Sequence, residues 1–180
     1  MTPDIEKQFD RIDSDLTALL EKLKDYSHAD LNRAPAPGKW SPMQTMQHLI
    51  LAEGYALQYL QKKLSSNRHL LKNAGIATWF RNVMLKSYMK TPFKFNAPDA
   101  VGTSQLPEES SFWEAAKKWK QQRSDLREFF ATLPPELYKK EVYKHPIAGR
   151  LKLKGVLDFY ESHFKRHRRQ IDKALYYQIK

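Results

Sequence analysis

Apolar side chains recur every three or four residues along four long stretches of this chain, and no convincing run alternates. That period commits the sequence to helices, because positions i, i+3 and i+4 share one helix face whereas a strand needs a period of two. The first stretch opens on Thr2-Pro3-Asp4, a capping hydroxyl followed by a proline suited to the first helical position. Ile5, Phe9, Ile12, Leu16, Leu19, Leu20 and Leu23 then predict an amphipathic helix to about Asp25. Ser27 to Lys39, punctuated by Pro35, Pro37 and Gly38, reads as a loop. A capping box, Ser41-Pro42-Met43-Gln44, starts a second helix that should run to about Lys63. A second box, Ser111-Phe112-Trp113-Glu114, starts the third, with Phe112, Ala116, Trp119, Leu126, Phe129 and Phe130 as its buried stripe and Leu133-Pro134-Pro135 as its stop. Glu136 to Leu151, with the turn-rich His145-Pro146-Ile147-Ala148-Gly149-Arg150, reads as another loop. The last helix begins near Leu153.

Four amphipathic helices in 180 residues predict an all-α four-helix bundle, one domain over 1–180. Residues 65 to 110 form a connection far longer than the two to eight residues usual between antiparallel helices. Such a crossover lets the second and third helices run parallel. Ile76, Trp79, Phe80, Val83, Met84 and Tyr88 predict a short extra helix within it, ended by Thr91-Pro92-Phe93, and Phe95-Asn96-Ala97-Pro98 leads into an irregular stretch. The aromatic and basic mix from Trp79 to Phe95 is compatible with a membrane surface. The preferred reading is a cap on the open end of the bundle, or the wall of a pocket there.

Composition narrows the function. The chain has no cysteine, which excludes disulfides, thiolate metal sites and a cysteine nucleophile. No apolar run approaches the roughly 18 residues that span a bilayer. The N-terminal residues lack the basic start and apolar run of a secretory signal, so a cytoplasmic protein is expected. The net charge of +11 is spread along the chain, with its densest cluster at Lys165-Arg166-His167-Arg168-Arg169. A solvated basic surface is the preferred reading over a dedicated nucleic-acid or anionic-lipid site.

The candidate chemistry lies in the histidines. His163 and His167 are four residues apart on the last helix, one turn apart on the same face, with Tyr160 and Gln170 close to that face. Two imidazoles stacked in this way share a divalent metal in zinc helices. Alone the pair is a weak signal. A third histidine, His48, faces the bundle from two turns into the second helix and completes a possible ligand set for nickel or zinc, ions that imidazole favours. Three imidazoles leave a position open, as catalytic sites do. His28 and His69 sit in polar segments near helix ends and His145 precedes a proline in a loop, so none of the three is expected to be a ligand. Glu53 lies about 140 degrees round the helix from His48 and is a poor candidate base.

Trp40-Ser41-Pro42 leading to His48-Leu49, the His145-Pro146-x-x-Gly149 turn, and His163-x-x-x-His167-x-x-Gln170 together resemble the DinB-like (YfiT-like) superfamily. The resemblance covers nearly the whole chain. It implies an up-down-down-up bundle in which His48, His163 and His167 bind a divalent metal. It also implies a metal-dependent enzyme, since some relatives are transferases or isomerases that use low-molecular-weight thiols. On that basis the chain is expected to be a thiol S-transferase acting on an electrophile, with Tyr160 as the candidate catalytic group and Gln170 steadying an imidazole from behind. A homodimer is left open. The alternative is a non-catalytic binding module that offers its basic surface to nucleic acid or anionic lipid. One departure concerns the last helix, which opens in the family on a Thr or Ser cap and here on Leu151-Lys152-Leu153-Lys154.

Overall fold

All four predicted stretches are helical in the computed structural model, which describes residues 1–66, 68–91 and 99–177. In chain order the elements are α1 (Pro3–Leu23), α2 (His28–Asn32), α3 (Pro42–Ser66), α4 (Ile76–Lys90), α5 (Phe112–Ala131), a hairpin of β1 (Tyr143–His145) and β2 (Gly149–Leu151), and α6 (Leu153–Tyr176), with short 3-10 turns between. The α3 capping box forms in full: the Ser41 hydroxyl accepts from the Gln44 amide and the Gln44 side chain accepts from the Ser41 amide, both at 3.0 Å. At α5 only the Ser111 half forms. Thr2 makes no side-chain cap, so α1 starts on Pro3 alone.

Pairs of residues fix the helix directions. Gln8 meets Asp158 and Lys22 meets Asp172, so α1 and α6 run parallel. Met43 and Met46 share one core cluster with Phe112 and Ala115, while Leu57 and Leu60 share the other with Leu126 and Phe130, so α3 and α5 run parallel too. His48 meets His163 and the Glu53 carbonyl meets Tyr160, which makes α3 and α6 antiparallel. The bundle is therefore up-down-down-up.

The α1 stripe is buried as the periodicity predicts, and so is that of α5 except for the half-buried Phe129. Between the two core clusters lies a polar layer. Arg123 of α5 grips the Glu53 carboxylate with two bonds of 2.8 and 3.0 Å, Trp119 donates to the same carboxylate at 2.8 Å, and Arg123 also reaches the Ile12 carbonyl. Both members of the pair are fully enclosed.

Three local expectations are revised. The 27–39 segment contains the short α2, started by Ser27, whose hydroxyl accepts from the Asp30 amide at 3.1 Å. The 136–151 segment is not a plain loop. It holds the β1–β2 hairpin, whose register is Tyr143↔Leu151, Lys144↔Arg150 and His145↔Gly149, and Gly149 takes the positive φ of 76° at the turn. That hairpin delivers the chain into α6 at Lys152, which has no side-chain cap bond, while the Leu151 carbonyl is held by the Val142 amide at 2.9 Å. The third revision is α4. Its apolar stripe of Ile76, Trp79, Phe80, Val83 and Met84 faces solvent, and the helix packs on the bundle through Thr78, Leu85 and Met89 instead. The predicted helix end at Pro92-Phe93 and the irregular Phe95–Pro98 stretch lie outside the described residues. No described helix is long and apolar enough to cross a membrane.

Candidate metal centre

α3 and α6 cross so that three imidazoles meet in the groove between them. The heptad-like spacing of α6 puts His163 and His167 on the same side, and the antiparallel α3 brings His48 level with them. His163 Nε2 lies 3.3 Å from His48 Nε2 and 3.0 Å from His167 Nε2. These three form the metal-capable group among the described residues, and all three are buried.

The outer nitrogens decide which lone pairs point inward. A carbonyl only accepts, so His48 Nδ1 carries the proton that it donates to the Val101 carbonyl at 2.8 Å, which leaves Nε2 as a bare acceptor. His167 Nδ1 likewise donates to the Gln170 Oε1 at 3.0 Å. His163 Nδ1 is buried without a hydrogen-bond partner among the described residues. Burial holds all three rings in the neutral form: His48 is lowered against the pull of the Val101 carbonyl, His167 is lowered to about 3, and His163, crowded also by its two neighbours, is pushed well below the ordinary value.

The Nε2 atoms of His48 and His167 are acceptors, and either a proton on His163 Nε2 or a cation among the three rings can satisfy them. Imidazole nitrogens lie about 2.0–2.1 Å from a bound zinc ion, so two ligands of one ion at tetrahedral to right angles stand roughly 2.9–3.4 Å apart. Both observed separations fall in that range, and the rings are neutral, as ligands must be. The donor set fits a divalent ion.

Aromatic rings hold the imidazoles in place. Phe159 stacks on His163 at 4.9 Å, and Trp40 lies 4.9 Å from His48 and 6.4 Å from His167. The three histidines form part of the wall of a cavity of about 1000 Å³ between α3, α6, the hairpin and the end of α4. Lys39, Lys90, Arg166, Arg169 and Lys173 stand in its described lining, which has no Asp or Glu.

The other expected residues are placed as follows. Gln170 lies beside the group, its Oε1 3.0 Å from His167 Nδ1. Tyr160 does not reach the cavity: its hydroxyl is buried and donates to the Glu53 carbonyl at 2.6 Å, and burial raises its pKa well above the usual value. Its ring is a strut between α6 and α3. Glu53 faces Arg123 and Trp119, away from the histidines. His28 is exposed on α2, near Glu109. The His69 side chain lies outside the described residues. His145 stands in the cavity wall, separated from the group by Phe159, and its Nδ1 accepts the Ile147 and Ala148 amides at 3.2 Å each.

Sequence reasoning missed Val101, because a backbone carbonyl 53 residues away leaves no mark in a pattern. Arg169 is exposed, as a solvated basic surface implies, and it also borders the cavity with Arg166 and Lys173 of the same helix.

The sequence matches the DinB superfamily over residues 8–171. The chain belongs to the DinB superfamily. Among solved structures, this DinB protein is similar to YfiT from Bacillus subtilis, described as a probable metal-dependent hydrolase with an unusual four-helix bundle topology. The TM-score is 0.62 at 13% identity, covering 99% of this chain and 90% of YfiT. It is similar also to TT2238, described as a four-helix bundle protein, with a TM-score of 0.54 at 17% identity, covering 94% of this chain and 97% of that one. At these identities the likeness concerns the fold. A comparison with curated proteins finds no match.

Proposed function

We propose that this DinB protein is a metal-dependent thiol S-transferase that holds nickel or zinc on His48, His163 and His167. One observation supports the reading: three buried imidazoles converge in the wall of a cavity whose described lining holds five cations and no carboxylate. A divalent ion held by these three histidines would supply Lewis acidity, enough to acidify a thiol at neutral pH. The cavity's own residues do the rest. Lys90, Arg169 and Lys173 attract the carboxylates that common cellular thiols carry. Phe159, Tyr143 and Ile147 give an electrophile an apolar wall. In the reaction the thiol sulfur bonds to the electrophilic carbon as the bond to the leaving group breaks, and the thiol proton and the leaving anion go to solvent.

The second reading is hydrolysis, brought to mind by the description of YfiT. Metal hydrolases of the zinc-helix type pair the ion with a carboxylate base. The described lining offers none, whereas a thiol acidified by a cation needs no such base, and this favours transfer. The test is a screen of several low-molecular-weight thiols against a halogenated arene, using metal-loaded protein and the His163→Ala variant. Turnover that needs both thiol and metal, and that the variant lacks, is the expected result. Ester or amide hydrolysis without thiol would move the reading to the hydrolase, and turnover undiminished in the variant would end both.

A further inference from the structure

The side of α4 that meets solvent is apolar, whereas an ordinary surface helix turns its apolar stripe to the core, and the side that meets the protein mixes polar anchors with Leu85 and Met89. Ile76 is 87% exposed, Trp79 61%, Phe80 60%, Met84 48% and Val83 40%. On a helical wheel these five fall within about 140 degrees. The opposite side is anchored by polar bonds: Thr78 and Arg81 to Glu141, and Asn82 and Lys86 to Asp158. Asn82 and Lys86 stand 2.7 and 3.4 Å from that buried carboxylate, and Leu85 and Met89 are buried between the anchors. The roll of the helix is therefore fixed, and the apolar strip cannot turn inward. Single exposed apolar residues need no explanation, but a contiguous strip with two aromatic rings does.

Charge selects what covers it. Between Gly54 and Pro98 the sequence has eight Lys or Arg and no Asp or Glu. Arg81 and Lys86 are engaged inward, while Lys72 just before α4 and Lys90 at its end are exposed. The hairpin packed against α4 adds the exposed Lys144 and Arg150, and its neighbouring acid, Glu141, is buried and paired. A second copy of this face would set cations against cations. An anionic bilayer offers hydrocarbon for the strip and negative headgroups for its flanks.

We propose that α4 docks this protein on an anionic membrane surface, lying in the interface with Trp79 and Phe80 at the boundary of headgroups and acyl chains. Docking is peripheral, since no described helix can cross a bilayer. Tyr88 and Met89 of the same helix line the cavity, so the docked face and the cavity mouth are neighbours. The docking stands on α4 alone and holds whatever the histidines do.

The experiment is co-sedimentation of the full chain with vesicles of phosphatidylcholine alone and with about 30 mol % phosphatidylglycerol added. Binding is expected to the anionic vesicles, weakening as salt rises. The Trp79→Ser, Phe80→Ser double variant should lose at least about tenfold in partitioning, with unchanged helical circular dichroism because both rings are exposed. If that variant misfolds, Ile76→Ser with Met84→Ser serves in its place. The proposal is overturned by failure to bind anionic vesicles, or by variants that bind as well as the parent. It is overturned also by a dimer in sedimentation velocity that the variants abolish, which assigns the strip to a second copy. Binding to single-stranded oligonucleotide that the same variants weaken, without vesicle binding, would assign it to nucleic acid.

Discussion

Gln170 is the one described side chain that hydrogen-bonds one of the three clustered imidazoles from outside the cluster. His48 is oriented by a main-chain carbonyl, which no substitution removes, and His163 Nδ1 has no partner among the described residues. His167 donates to the Gln170 amide oxygen at 3.0 Å, and that bond keeps its Nε2 lone pair inward. Replacing Gln170 by Ala leaves a buried donor unpaired and frees the ring to take its other tautomer. Losing such an outer partner costs a histidine site about 10- to 100-fold in metal affinity, or about 1.4–2.7 kcal/mol. Gln170 is itself only half-buried, so water can reach the vacated position and the loss should fall in the lower part of that range, about 10- to 30-fold. Gln170→Glu should act in the opposite direction, since a carboxylate is the stronger acceptor and raises the basicity of the ring. Competition titration of zinc against a chromophoric chelator measures both. An Ala variant within about twofold of the parent refutes the claim that Gln170 sets the His167 tautomer.

Two further outcomes concern stability. Arg123→Met should cost about 3–5 kcal/mol, because Glu53 stays enclosed with only the Trp119 donor. At 2–4 °C per kcal/mol this lowers Tm by about 6–20 °C, and adding Glu53→Leu should recover most of the loss; a single variant that melts with the parent would show that the pair is not enclosed in solution. His145 is held at about 4 by burial against an ordinary 6.5, so the unfolded chain takes up that proton first. Its contribution is complete above about pH 6.5 and is lost as pH falls towards 4, by about 3 kcal/mol in all. His145→Asn keeps an acceptor for the hairpin amides and should flatten that part of the pH profile in urea unfolding; an unchanged slope would count against the assignment.

Much of the bundle could be read from spacing because long amphipathic stripes repeat their message. Ile5 to Leu23 in α1 all go inward, and the His163, His167 pair follows from the same helical arithmetic. Short elements carry no such redundancy. Three-residue strands around Pro146-Ile147-Ala148 are too brief for alternation to register, and α2 is little more than one turn after Ser27. A wheel shows that α4 has an apolar side without showing where that side points; the direction was set by Glu141 and Asp158, acids 60 and 76 residues from their partners Arg81 and Asn82. Glu53 read as one more helix charge because its match, Arg123, is 70 residues away. Tyr160 looked like a candidate for chemistry because it shares the histidine face, and the Glu53 carbonyl claims its hydroxyl.

The parallel pairing of α1 with α6 has a consequence for how the chain is made. Gln8 and Asp158 are 150 positions apart, and His48 and His163 are 115 apart. On a ribosome α1 emerges first and waits on the order of ten seconds for α6. Through that interval the α6-facing side of α1 lacks its native cover, and His48 lacks its two companions. Nascent chains stalled before Leu153 should therefore be bound by holdase chaperones through α1, and release should coincide with the appearance of the last helix. Folding and acquisition of the metal-capable site then become one late event, governed by the closing of long loops instead of by local helix formation.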